Sequence, residues 1–322
     1  VRLNPLWFKR LGALPKTRMH IASYQFIQAV VYIVGGPCAE KSLFAASLQT
    51  LWQLGQWRGP VIVLTDQVDC VNAVHARLTF GANGSNLHAV AIESPGPFQE
   101  PTMHYKKVKM QMLSYVESAG FTNLDWILYL DSDIVVGRPL ARLGLAMGSA
   151  LAAAPAASIL TFEEKSPNAP PSEKFHSGVL IVRNDSSAKA CLAEWRQQCH
   201  DGLLWRLFPQ RDQSALMETS CVSDGTVARL PAGGNFLLPN KTSMDTSERR
   251  VFIHFTNFRL RMRDALPSIT RYWREVLQLT GDPWGRIDCS RAATFQVHAL
   301  RAAATALAIL FGHGSIPGRV SV

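Results

Sequence analysis

Apolar runs of strand length alternate with helical patterns through the first half of the chain. AVVYIVGGP (29–37) reads as a buried strand entering a glycine turn, and AEKSLFAASLQTLWQLG (39–55) has helical spacing and stops at Gly55. PVIVLTD (60–66) is a second buried strand, ending in an acid, and LHAVAIE (87–93) a third. TMHYKKVKMQMLSYVESAG (102–120) predicts one amphipathic helix with a glycine stop, and WILYLDSD (126–133) a fourth strand. Continuous apolar strands joined by helical crossovers imply an α/β fold, a parallel sheet covered on both faces. Such sheets bind ligands beyond the carboxyl ends of their strands, where Asp66, Asp131 and Asp133 fall.

The second half mixes a strand at 174–184, a helix near 187–200, strands at 225–231 and 250–257, and an amphipathic helix at 265–279. Between the halves, ALAAAPAAS (150–158) reads as a loop or short strand, followed by the proline-rich KSPNAPPSEK (165–174). No repeat and no linker interrupts the pattern. One domain over 26–281 is therefore expected, with an N-terminal extension at 1–25 and a C-terminal extension at 282–322.

A net charge of +9 over 322 residues suits nucleic acid, anionic lipid or a phosphorylated ligand. The chain has no arginine-rich arm, zinc-finger spacing or base-stacking motif, so nucleic acid is the weaker reading. None of the six cysteines forms a CxxC pair, which disfavours structural zinc. A Cys199–Cys221 bridge is one pairing the spacing permits. Sequons at Asn83, Asn184 and Asn240 lean toward the secretory pathway, a Golgi lumen rather than the cytoplasm. A signal or membrane anchor upstream of Val1 would fit that address. The apolar run at 291–311 carries Arg301 near its middle, so a packed or membrane-interfacial helix is expected there rather than a span.

Two aspartates one residue apart close the ILYL strand. Residues two apart in a strand face one side, so Asp131 and Asp133 point together if the extension holds. Paired carboxylates repel, and each raises the other's proton affinity. A divalent cation removes that penalty, and oxygen ligands suit Mn2+ or Mg2+ shared with substrate phosphates. The bland alternative is a turn with exposed acids.

ILYLDSDIVV resembles the manganese-binding DxD segment of glycosyltransferase family 8, the group of glycogenin and the lipopolysaccharide galactosyltransferases. In the family's order, YKKVKM (105–110) resembles the basic helix before that strand, and AAAP (152–155) the Ala-Ala-Pro strand after it. FHSGVLIV (175–182), DQSAL (212–216) and VFIHFTN (251–257) resemble the later segments. The resemblance implies a GT-A fold, a Rossmann-like, mostly parallel sheet flanked by helices. It implies that Asp131, Asp133 and His254 hold the metal, where a lone histidine would otherwise be an ordinary strand residue. Lys107, with Lys106 and Lys109 close in register, would touch the donor; a solvated helix face is the plainer reading of such a cluster. Asp212 and Gln213 would lie beside the transferred sugar, although aspartate also caps helices. Gly178 would let the sugar approach the backbone, with Ser177 adding a hydrogen bond. His176 departs from the family's asparagine. Asn257, Arg259 and Arg261 stand where the family has a Gly-Lys diphosphate clamp, and either arginine would replace the lysine. Val34 and Asp66 would border the nucleoside.

The implied reaction moves a hexose from a nucleotide-diphosphate sugar (UDP-glucose, UDP-galactose or UDP-glucuronate) to an acceptor hydroxyl with retention. The acceptor is a glycan, protein, lipid or polyol that the sequence does not name. Asp212 is the one carboxylate placed for a double displacement; same-face attack, with the leaving phosphate taking the acceptor proton, is the preferred route. A noncatalytic sugar-nucleotide binder and a nucleotidyltransferase are the alternatives.

Overall fold

The computed structural model describes residues 26–36, 42–79, 86–97, 99–163, 175–201, 212–230, 235–237 and 251–254. The four apolar runs of the first half become β1 (Ile27–Ile33), β2 (Val61–Thr65), β3 (Leu87–Ala91) and β4 (Trp126–Asp131). Later come β5 (Ile134–Val136), β6 (Ile159–Glu163), β7 (Phe175–Arg183), β8 (Val227–Leu230), β9 (Asn235–Leu237) and β10 (Phe252–His254). Seven strands form one sheet in the order β3-β2-β1-β4-β7-β6-β8. Its ladders are parallel except where β7 meets β4 and β6, so β7 alone runs backwards. A second sheet, β5-β10-β9, lies beside it.

Alternation along the strands divides the core in two. On β4, Trp126, Leu128 and Leu130 pack with α1 (Ser42–Gln53), α2 (Val68–Thr79) and α5 (Ala141–Ala153). Ile127 and Tyr129 pack on the opposite face with α3 (Pro101–Met110), α4 (Met112–Ser118) and α6 (Ser186–Asp201). That second layer also holds α7 (Asp212–Met217) and α8 (Ser220–Ser223). Burial on both faces is why these strands read as unbroken apolar runs.

Three local expectations are corrected, and one helix is added. The helix expected over 102–120 breaks at Gln111 (φ −113°, ψ 7°). Val108, Lys109 and Met110, at the end of the first helix, are all buried, so its last turn is enclosed on more than one side. ALAAAPAAS begins as the last turn of α5, so the AAAP segment starts in a helix rather than a strand, and the strand follows at Ile159. The pattern over 68–79 left α2 unrecognised. The bridge is Cys191–Cys221, which joins α6 to α8, while Cys199 is free and buried. Cys70 is disulfide-bonded as well. The 265–279 helix and the apolar run at 291–311 lie outside the described residues; among those described, no helix is long and apolar enough to cross a membrane.

Candidate active site

β4 extends only to Asp131. Residues 132 and 133 form a turn, and β5 leaves the main sheet to pair antiparallel with β10. The two acids therefore do not share one extended strand. The redirection has a packing cause: Ile134, Val135 and Val136 are buried against α1. There the Ser47 hydroxyl donates to the Ile134 carbonyl, and Thr50 Oγ1 accepts the Val136 N–H at 3.1 Å. The register sets the backbone of His254 opposite Ile134, one residue beyond Asp133. Its side chain lies outside the described residues, as do Asn257, Arg259 and Arg261.

Strand alternation sends the Asp131 side chain to the α3 face, the face of Tyr129. The Tyr129 hydroxyl donates to Asp131 Oδ1. Lys109 Nζ stands 3.2 Å from that same oxygen and 2.9 Å from Asp212 Oδ2, and donates to the Ser177 carbonyl at 3.3 Å. Lys106 takes the other Asp212 oxygen at 3.2 Å. Trp195 Nε1 donates to the Asp212 carbonyl at 2.8 Å, fixing the start of α7. Lys109 joins the two acids, whereas Lys107 is half-buried on the same helix. Lys106 and Lys109, three residues apart, share one helix face.

Burial alone would keep Asp212 protonated. The Lys109 and Lys106 ammoniums and a hydrogen bond from Ser177 outweigh it and hold its carboxyl well below the usual range. Burial works against the Lys109 charge too, but Asp131 and Asp212 push its pKa above the ordinary lysine value. Tyr129 is raised well above a free phenol, by burial first and then by the Asp131 charge. The cluster is thus a charged, hydrogen-bonded network with a buried centre at Lys109 and Asp212, the form in which interior charges are tolerated.

β7 brings the remaining residues to the same place. A Cβ on Gly178 would lie 2.6 Å from Asp131 Oδ2 and 2.7 Å from His176 Cε1, so glycine is required by close approach. His176 is 2% exposed, and its Nδ1 accepts the Gly178 N–H at 3.1 Å. That acceptor role places the ring proton of the neutral imidazole on Nε2. Gln213 Nε2 donates to the Phe175 carbonyl at 3.1 Å, which ties the first turn of α7 to β7. At the carboxyl ends of β1 and β2, the side chain of Val34 is buried in the core. Asp66 accepts the Gly36 N–H at 2.8 Å and the Tyr105 hydroxyl at 2.9 Å. Tyr105 and Tyr129 escaped the sequence reading. Tyr129 carried a usable signal, since it lies two residues before Asp131 on the same strand face.

No protein-family model and no curated protein sequence matches the chain. Solved structures do. The bifunctional glycosyltransferase WbbM aligns at 14% identity over 80% of this chain and 50% of its own, with a TM-score of 0.51. The glycosyltransferase GlyE of Streptococcus pneumoniae TIGR4 aligns at 15% identity over 85% of this chain and 64% of its own, with a TM-score of 0.50. The chain has the GT-A fold. A galactosyltransferase, LgtC, crystallised with donor and acceptor sugar analogues, aligns at 14% identity over 79% of this chain and 95% of its own, with a TM-score of 0.48. Within the GT-A sheet, Asp131, Asp212, Lys106, Lys109 and Gly178 converge at the carboxyl end of β4, beside the switch to antiparallel β7.

Proposed function

We propose that the protein is a retaining, metal-dependent glycosyltransferase of the family 8 type, moving a hexose from a UDP-sugar to an acceptor hydroxyl. The observation that carries this reading is the Asp131–Lys109–Asp212 network, with Lys109 and Asp212 buried and Asp131 half-buried, at the end of a GT-A sheet. A purely structural network would be expected deep in the core, but this one borders the strand ends where open α/β sheets bind ligands.

Asp131 and Asp133, with His254 entering beside them on β10, would hold Mn2+ or Mg2+. Oxygen donors with one imidazole suit such an ion, and Asp131 Oδ2 faces the open Cα of Gly178. A bound divalent ion would supply charge compensation for the departing diphosphate. The chain's own groups do the rest. Asp212 positions sugar hydroxyls, and Lys106 and Lys109 hold it ionised. A carboxylate already neutralised by two ammoniums is a poor nucleophile, which favours same-face attack over a covalent intermediate. Arg259 or Arg261 would add cationic grip on the diphosphate.

A second reading is a noncatalytic UDP-sugar binder. It is favoured by Lys109, which already compensates Asp131 Oδ1. A panel of nucleotide sugars with Mn2+, read by thermal shift and by release of the nucleoside diphosphate, separates the two. The glycosyltransferase reading expects both signals with one donor, and loss of release in Asp133→Ala. A thermal shift with no release under any condition would establish the binder instead. A glycosyl adduct on Asp212 in the mass spectrum would overturn same-face attack.

A further inference from the structure

α3 starts against the ends of three strands and finishes in the charge network. Pro101 occupies its first turn, and Glu100 caps it by accepting the Met103 N–H at 2.6 Å. His104 Nε2 bonds the Glu93 carbonyl, just past β3, at 2.7 Å. The next residue, Tyr105, reaches two strands at once. Its hydroxyl donates to Asp66 Oδ2 past β2 at 2.9 Å. Its ring covers Gly35 past β1, where a Cβ would lie only 1.8 Å from Tyr105 Cε1. The second Asp66 oxygen takes the N–H of Gly36, which holds φ +51°. One carboxylate therefore fixes both the glycine loop and the helix.

One turn further along α3, on the same face as Tyr105, is Lys109. Lys106 lies between them in sequence, and both lysines grip Asp212. The helix is thus a single short lever: one end rests on the loop expected to meet the nucleoside, and the other aims the ammoniums beside the sugar. The ring contact with Gly35 leaves the loop no room to approach α3 without moving the helix.

We propose that Tyr105 is a positioning residue of the nucleotide-sugar site, its bond to Asp66 tying the Gly35–Gly36 loop to the helix that aims Lys106 and Lys109. The ligand's identity rests on the glycosyltransferase reading; the tie itself rests on the contacts above. A nucleoside diphosphate seated on the loop then orders the lysine end of α3.

Tyr105→Phe keeps the ring on Gly35 and deletes only the hydrogen bond, so the fold and unfolding temperature are expected to stay close to wild type. With the donor found by screening, kcat falls about tenfold and donor KM changes less than about threefold, because misaimed groups cost turnover more than binding. Asp66→Asn lowers kcat similarly, and the double variant loses no more than the worse single one, as for two ends of one contact. A second readout needs no turnover. In hydrogen exchange on the full chain, UDP slows the amides of both residues 35–36 and 105–110 in wild type. In Tyr105→Phe it slows only those of 35–36. Unchanged kcat, additive losses, or equal protection of 105–110 in the variant would each overturn the proposal, as would a wild-type helix that UDP leaves unprotected. Absence of turnover with every nucleotide sugar counts against the proposed function, while the exchange experiment still decides the tie.

Discussion

Asp212 shows how one side chain is made useful by its neighbours. Its two oxygens meet two lysines, one of them shared with Asp131. Replacing it with asparagine removes the anion that faces one buried and one half-buried ammonium. Asp212→Asn is expected to cost about 3 kcal/mol in urea unfolding, the scale for breaking a buried pair. The pH dependence follows from the two shifts. The depressed Asp212 pKa contributes stability that is complete above the unfolded value of about 3.9 and is lost as pH falls toward the lower folded value. The raised Lys109 pKa contributes stability that is complete below the unfolded value of about 10.4 and is lost as pH rises through the folded one. Unfolding free energy attributable to the network should be flat between those limits, and the acid limb should shrink in Asp212→Asn. Gly178 is the second sensitive position. Gly178→Ala pushes a methyl between Asp131 Oδ2 and His176, and an overpacking cost of about 1–3 kcal/mol is expected, with loss of donor turnover.

Elements matter here through where they end. The DxD residues occupy the switch from one sheet to another because β5 is drawn under α1. Thr50 is central to that draw. Its hydroxyl accepts the Val136 N–H and donates back to the α1 carbonyls of Ala46 and Ser47 at 2.9 and 3.0 Å. Thr50→Val keeps the shape but leaves a buried N–H without its acceptor. A loss of about 1–3 kcal/mol is expected, with faster amide exchange at Val136 as the specific check. On the other face, the last turn of α3 is packed all round: it points Lys109 at the acids while Val108 and Met110 enter the core.

Across the whole chain, the second layer is stapled by Cys191–Cys221, which closes a loop of sequence separation 30 around α7. Converting both cysteines to serine is expected to cost about 3–4 kcal/mol in unfolding free energy, mainly by freeing the unfolded chain. Cys199 lies nearby but is buried, and burial, with Asp212 adding to it, pushes its thiol up to about 12. It should resist iodoacetamide at pH 8 until the protein unfolds. The bridges fit an oxidising compartment.

Local pattern alone carried the architecture. Strands buried on both faces need unbroken apolar runs, so β1 to β4 announced themselves, and acids at strand ends marked where a ligand would bind. The weaker periodicity of 68–79 and the alanine-rich end of α5 left those helices unread, because alanine and mixed polar residues satisfy more than one pattern. Which lysine bridges the acids was not legible. Lys106, Lys107 and Lys109 are chemically alike, and only the packing of α3 against β4 and α7 set Lys109 between two carboxylates. The same holds for Tyr105 and Asp66, 39 residues apart, and for the choice of Cys191 over Cys199 as the partner of Cys221. Such pairings depend on distances between elements, and those arise from the core that assembles them rather than from any one segment of chain.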